Sequence, residues 1–544
     1  MGRNFIRLVI VSIIGLATAF AAQKVCNVKD YGAAGDGKTL DSPAINKAIE
    51  DCQKAGGGVV EFPAGTYLSG SIRLKSNVDL RLAKGATILG APNNIDAYDH
   101  PEPNPHDKWQ EFGYSHVRNA LIWGDGVENV SITGPGAIHG GGLARSLKES
   151  DPVGGGDKAI ALRSCRNVRL NDFTVNQGGH FAMLITACEG VKVGNVTVRT
   201  SRDGIDIVGS RNVEIYGTDV ESIRYENGVM KGGDDAIVLK SNRSLGRRLL
   251  SENITIRDCK VATNAHGIHF GSETAGDFRN IQFRNIVIEH ADKAGISITS
   301  SDGGVIENVT YENIRMSKVA QPIYIKLSNR QGRTPESPTP VGRIRNITLK
   351  NITATDVYGY IKNEQWTSTI MGKPGAPVEN ITLENVRLTY KGGGTAEQAA
   401  VVPPENDSFR AVDVGPRPSY GFYCRNVKDL RFRNVEVSFE KDDRRPALIV
   451  DDADGVWLQG FKAQRAPGGQ VDALFRRARK VSVSESPELK VKSEEAAAAA
   501  SRSRPRRGSN RPNAPLAARP TTCAVVPGAW SRWLIISQST KANV

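Results

Sequence analysis

Apolar and polar residues alternate in short runs along most of the chain, and the runs recur. The signature is an Asn, a Val or Ile, one variable position and another apolar residue, as in "VENVSITG", "SRNVEIYGTDV", "SENITIRDCKV", "IRNITLKNITA" and "VENITLENVRL". Successive copies begin 22 to 46 residues apart. A period of two predicts strands, and each copy offers two or three. One such unit cannot bury its own apolar face. Stacked copies bury a continuous core and pair strands between neighbours. With β-branched strands and Gly or Asn at the corners, the expected fold is all-β: a parallel β-helix whose coils carry loops of varied length. Asn suits a corner because it tolerates left-handed backbone angles and can bond its neighbour's main chain. Asn253, Asn346 and Asn380 also sit in Asn-x-Ser/Thr triplets. A corner Asn followed by a strand Thr accounts for these better than glycosylation.

Helical spacing interrupts this pattern in "DSPAINKAIEDCQKAGGG", residues 41–58. Ser42 is the expected N-cap and Pro43 the first helical residue. Ile45, Ala48, Ile49 and Cys52 form the apolar stripe, and the glycines at 56–58 stop the helix. Such a helix would cap the open N-terminal end of the solenoid, which otherwise invites pairing with other chains.

Both ends differ from the body. Residues 1–21 combine Arg3 and Arg7, an apolar run at 8–20 and a small-x-small site, the parts of a secretory signal. The apolar run is short for a membrane span. The expected divisions are a signal peptide at 1–21, a β-helix domain at 22–490 and a low-complexity basic tail at 491–544, expected to be disordered. The formal charge of +13 invites a nucleic-acid reading, but residues 501–544 hold eight Lys or Arg and no acid, and the leader holds two more. About +3 then remains for the body, too little for a basic-patch protein. Seven cysteines without a CxxC pair argue against a disulfide scaffold or a zinc site. Cys26 and Cys52 are candidates for one bridge after export.

Three segments carry residues that the coil pattern does not require: "SRDGIDI" (201–207), "GGDDAIVLKS" (232–241) and "NAHGIHFGSE" (264–273). Asp203 precedes Asp234 by 31 residues, and Asp235 precedes His266 by 31. One turn apart, such residues can lie side by side on one sheet face. Cleaving a glycosidic bond needs one protonated and one ionised carboxyl group. Crowded carboxylates raise one another's pKa and can supply both states.

In order and surroundings the three segments resemble those of glycoside hydrolase family 28, the polygalacturonases, as do "DYGAAGDGKTLDSPAINKAI" and "ITGPGAIHGGG". The family pattern runs Asn-Thr-Asp-Gly-x-Asp, Asp-Asp, Gly-His-Gly and Arg-Ile-Lys. The resemblance implies a right-handed parallel β-helix and an inverting hydrolase of α-1,4-galacturonosyl linkages in pectin, without metal or other cofactor. Asp234 corresponds to the general acid, Asp203 and Asp235 to the pair that deprotonates the attacking water, and His266 to the histidine that supports the acid's protonation. Lys240 matches the Lys-Ser ending of the Asp-Asp segment and is expected to line the cleft, and His180 stands where the family often has an aromatic that meets the sugar.

Departures concern the substrate. Ser201-Arg202 replaces Asn-Thr, and Ala265 replaces the first Gly of Gly-His-Gly. The Arg-Ile-Lys positions one turn after His266 hold Ser297 and Thr299, and "PIYIKLSNR" offers Lys326 one turn later. Arg202 is therefore expected to meet a uronate carboxylate in place of the missing cations. The longer segment "ESIRYENGVMKGG" would wall one end of the cleft and favour exo-action. The implied partner is a pectic polysaccharide or oligogalacturonide, which includes rhamnogalacturonan-type chains. No nucleic acid and no membrane after leader removal are expected, and the protein is expected to be a monomer, secreted or periplasmic. Two other readings stay open: a pectate lyase with calcium on Asp203, Asp206, Asp234 and Asp235, and a non-catalytic carbohydrate-binding β-helix.

Overall fold

A computed structural model describes residues 23–145, 155–359 and 366–494. The period-two runs form strands that pair in parallel with equivalents one coil away. Arg166–Asn171, for example, lies between Glu128–Thr133 and Glu189–Gly194, parallel to both. Strands consecutive in the chain turn corners instead, so each coil adds one strand to each of several ladders. Equivalent inward positions then stack: Ile215, Ile256, Phe283, Tyr311, Leu349 and Leu383 follow one another through five coil-to-coil steps. All six are fully buried, and Phe283 and Tyr311 stack with centroids 4.5 Å apart.

The corner asparagines adopt the expected left-handed backbone, with φ between 54° and 58° at Asn253, Asn280, Asn308 and Asn346. Their partners differ from expectation. Each side-chain amide donates to the corner Asn side chain of the preceding coil, at 3.3, 3.2 and 3.0 Å along this series. A second column joins Asn285, Asn313, Asn351 and Asn385. Coils stacked at strand spacing bring identical amides within reach of one another, and one donor plus one acceptor per amide extends the ladder.

Helix α1 (Ser42–Lys54) buries Ile45, Ala48, Ile49 and Cys52 against the first strands, including Lys24–Asn27 and Gly58–Phe62. The N-cap is Asp41, one residue before the expected Ser42, and its carboxylate makes no cap bond. That carboxylate instead accepts from the backbone N–H groups of Ala34 and Gly35 at 2.6 and 3.0 Å. Cys26 and Cys52 are buried free thiols, not the expected bridge. A last strand, Val491–Glu494, pairs with Ala473–Ser484, so the coil continues beyond the expected boundary at 490. The expected leader and residues 495–544 of the basic tail lie outside the described residues, among which no helix is long and apolar enough to cross a membrane.

Candidate active site

One ladder carries the candidate chemistry. It runs through β1 (Phe181–Thr186), β2 (Asp203–Val208), β3 (Ile237–Ser241), β4 (His266–Thr274), β5 (Asp277–Ser300) and β6 (Val319–Leu327). Ile205 faces Ile237, which faces Ile268, and these enter the core. Strand alternation sends Asp206, Lys240 and His269 to the other face. Asp235 lies level with Asp203, whose neighbour Gly204 donates its N–H to the Asp235 carbonyl at 3.0 Å. The next coil adds His266, whose carbonyl accepts from Ala236 N–H at 3.2 Å.

The aspartate pair is delivered by a hairpin. Asp219–Glu226 and Val229–Gly233 pair antiparallel around Asn227 and Gly228, at φ 51° and 73°, the hand that a two-residue hairpin turn requires. At Gly233 a Cβ would lie 2.1 Å from the Ser222 carbonyl oxygen, so only glycine passes there. The chain then leaves strand geometry through Asp234 and Asp235 before β3 begins. Asp234 N–H donates to Ser222 Oγ at 3.1 Å, and the Ser222 hydroxyl donates to the Arg202 carbonyl at 2.6 Å. Asp235 is buried, while the Asp234 side chain stays 23% exposed.

The three aspartates have different surroundings. Burial pushes the Asp203 carboxyl well above its usual range, and the charges of Asp234 and Asp206 add to this against Lys240. Burial acts the same way on Asp235, but the neighbouring His266 and His269 and the His266 hydrogen bond outweigh it and hold that carboxyl well below its usual range. His266 Nδ1 lies 2.8 Å from Asp235 Oδ1, which also accepts from His266 N–H at 3.0 Å. His266 thus serves Asp235 and not the expected acid Asp234. Asp234 instead meets Arg202, with Oδ2 2.7 Å from Nη1. One part of the site is set to carry a proton and another to accept one.

Beneath them lies a buried ionic cluster that sequence reasoning only partly identified. The Lys240 ammonium sits 3.7, 3.5 and 3.8 Å from Asp203, Asp206 and Glu273, with the Tyr114 ring 5.1 Å away. Burial raises Asp206 and Glu273 to about 7 each despite the lysine. Lys240 therefore braces the carboxylates and does not line an open cleft. Tyr114 and Val117 pack with Phe181, Leu184 and Val208, covering this part of the face. Glu273 was legible as the last residue of the "NAHGIHFGSE" segment. The residues covering it come from a loop far away in sequence.

The expected substrate contacts fare differently. Arg202 bridges two protein groups, Asp234 and His180 Nε2, the latter 2.8 Å from Nη2. His180 is 2% exposed, stacks on Phe181 at 4.3 Å, and is pushed down to about 2 by burial and the Arg202 charge. Ser297 falls one coil after His269, and Thr299 follows the Phe270–Ile298 pair by one residue, but both are buried, and the Thr299 hydroxyl donates to the Phe270 carbonyl. Lys326 is also buried, donating to the Ser408 and Asn406 carbonyls at 2.6 and 3.2 Å. Tyr324 donates to the Phe409 carbonyl at 3.0 Å. The segment around 406–409 thus covers Lys326 and Tyr324, which offer no open face to a ligand.

Asp235, His266 and His269 hold potential ligand atoms within 4.8 Å of one another, a reach suited to a metal ion. Here Asp235 and His266 bond each other and the two rings stack at 4.1 Å. Calcium would need oxygen ligands, yet Asp203 and Asp206 already share the Lys240 charge. Two hollows are lined by neighbours of Arg202, one by Ser201 and one by His180. One, of about 420 Å³, is lined by Arg145, Ser201 and the hairpin. The other, of about 560 Å³, lies between His180 and the 101–119 segment.

Comparisons with known proteins bear on the family of the chain. The model for glycosyl hydrolases family 28 matches residues 52–408, which include Asp203, Asp234, Asp235 and His266. The chain is 26% identical over 406 residues to the exo-poly-α-D-galacturonosidase of Dickeya chrysanthemi. That alignment covers 63% of this chain and 64% of the relative, so the chain spans just under two thirds of that protein. It is also 26% identical over 382 residues to an endo-polygalacturonase of Pectobacterium carotovorum subsp. carotovorum, covering 65% of this chain and 85% of the relative. A family 28 exopolygalacturonase structure from Yersinia enterocolitica superposes with a TM-score of 0.61 at 22% identity, over 81% of this chain and 79% of that one, a likeness of fold. More than half of the sequence lies inside the family match, and the chain belongs to glycosyl hydrolases family 28.

Proposed function

We propose that the protein hydrolyses α-1,4-galacturonosyl linkages of pectic chains with inversion, on a right-handed parallel β-helix capped by α1. The observation that carries the reading is the level stacking of Asp203, Asp235 and His266 with Asp234 beside them, in a member of a glycosidase family. Two relatives described as galacturonosidase or polygalacturonase support the substrate class. Asp235, held ionised, takes the proton of the attacking water, which Asp203 helps to hold in place. Asp234, the most exposed of the three, gives a proton to the leaving oxygen. Arg202 must release Asp234 before that carboxylate can take up from solvent the proton it gives to the leaving oxygen, and an incoming uronate carboxylate is the competing anion that draws Arg202 off. The hairpin beside Asp234 favours exo-action. Export through the expected leader would bring the enzyme, as a monomer, to plant cell-wall substrate.

Lys240 is the observation against a calcium-dependent lyase, since its ammonium already answers Asp203 and Asp206. Incubation with polygalacturonate tests the proposal. Saturated reducing ends that form equally in chelator support hydrolysis. An ultraviolet-absorbing product lost in chelator indicates a lyase, and no product indicates a binding protein.

A further inference from the structure

The 420 Å³ hollow beside the site gathers positive charge that the aspartates do not use. Its lining includes Arg145, Arg199 and Arg224, with Glu221 as the acid among the lining residues and Tyr225 at its edge. Arg199 pairs with Asp219 at 2.8 Å, and Arg224 pairs with Glu226. Arg145 has no carboxylate partner among the described residues. It is held by Ser201, with Nε to Oγ and Nη2 to the carbonyl both at 3.0 Å. Arg145 is itself exposed, and partial desolvation, then the charges of Arg224 and Arg202, push its pKa down, while Asp234 and Glu226 act the other way. A hollow lined by three guanidinium groups and one acid favours an anion, and a planar guanidinium fork matches a carboxylate.

The hollow is joined to the cleavage point by short links. Arg145 grips Ser201, the residue before Arg202, and Arg202 meets Asp234 at 2.7 Å. On the hairpin side, Glu221 and Ile223 flank Ser222, whose hydroxyl accepts from Asp234 N–H. Tyr225, 49% exposed, offers a flat face at the rim. An exposed aromatic beside a polar pocket suits an amphipathic ring such as a sugar.

We infer that this hollow is a uronate subsite, in which Arg145 and Arg224 receive the carboxylate of the sugar bordering the cleaved linkage and Tyr225 packs on that sugar. The inference rests on the galacturonan reading above and assigns the cations that Ser297, Thr299 and the enclosed Lys326 do not supply.

The test uses the full chain as wild type, Arg145→Ala, Arg145→Lys and Arg224→Gln, assayed on trigalacturonate and on its methyl ester. Loss of a charge-assisted contact predicts a KM on the charged substrate raised about 10- to 100-fold in Arg145→Ala. kcat should move less, Arg145→Lys should recover part of the loss, and Arg224→Gln should show the same bias towards the charged substrate. On the ester the variants should stay within about twofold of wild type. An unchanged KM on trigalacturonate, or an equal loss on both substrates, overturns the subsite while leaving the enzyme assignment intact. A wild-type chain that cleaves no galacturonan removes the function and the subsite together.

Discussion

Asp235 and His266 show how one carboxyl in a crowded site is kept charged. Burial alone would favour the neutral acid, and the imidazole beside it reverses the balance. Removing that support in His266→Gln raises the Asp235 pKa. A base works only when ionised, so the acidic limb of the kcat profile should move to higher pH, with activity lost most below neutrality. An unmoved limb with uniformly reduced kcat would make His266 a packing residue. Asp235→Asn and Asp234→Asn should each lower kcat by about 10²–10⁴-fold with little change in Tm. Glu273 makes a separate prediction about stability. Its folded pKa of about 7 lies above its unfolded value, so the protonated form stabilises the fold at low pH and that contribution fades as pH rises towards 7. His180, held near 2, acts oppositely below about 6.5, so the diagnostic is a comparison of proteins. Glu273→Gln should gain stability relative to wild type between pH 5 and pH 8, by roughly 1–3 kcal/mol in denaturant titrations. A difference that does not change with pH would mean that Glu273 is ionised throughout.

At the scale of elements, the strands were readable because alternation is local, and the corners because left-handed Asn is a property of the residue. The Asn-to-Asn ladders were not, since they exist only once coils stack in register. Asn313 sits within one, donating to Asn285 and accepting from Asn351. Asn313→Ala loses both bonds and strains a left-handed corner, for about 1–3 kcal/mol of stability. Asn313→Gly keeps the backbone freedom and should cost less, and the order of the two denaturation midpoints checks this. The hairpin before Asp234 was visible as extra length and not as structure, although Asn227-Gly228 carried the turn signal. Replacing residues 225–231 by Asn-Gly would join Arg224 to Gly232 through a short turn. If this element closes one end of the cleft, the shortened protein should release products of several sizes from hexagalacturonate where wild type releases one. An unchanged product pattern would remove the hairpin from the control of exo-action.

Among the described residues, the order of Asp203, Asp234–Asp235 and His266 along the chain anticipated their meeting, because strands one repeat apart in sequence pair side by side. The level partner of Asp203 proved to be Asp235, set by the register of Ile205 with Ile237. What escaped the sequence came from distant segments: Tyr114 from an N-terminal loop covers Lys240, and residues 406–409 enclose Lys326. Neither loop has the coil's periodicity, so no local pattern announces where it will lie. The account as a whole stands on hydrolysis with inversion at this site. Proton NMR of trigalacturonate cleavage by the wild-type chain, followed in chelator from the first minutes, tests it most directly. The account predicts a saturated product whose new reducing end appears first as the β-anomer. An α-anomer, an unsaturated product or loss of activity to the chelator would contradict it.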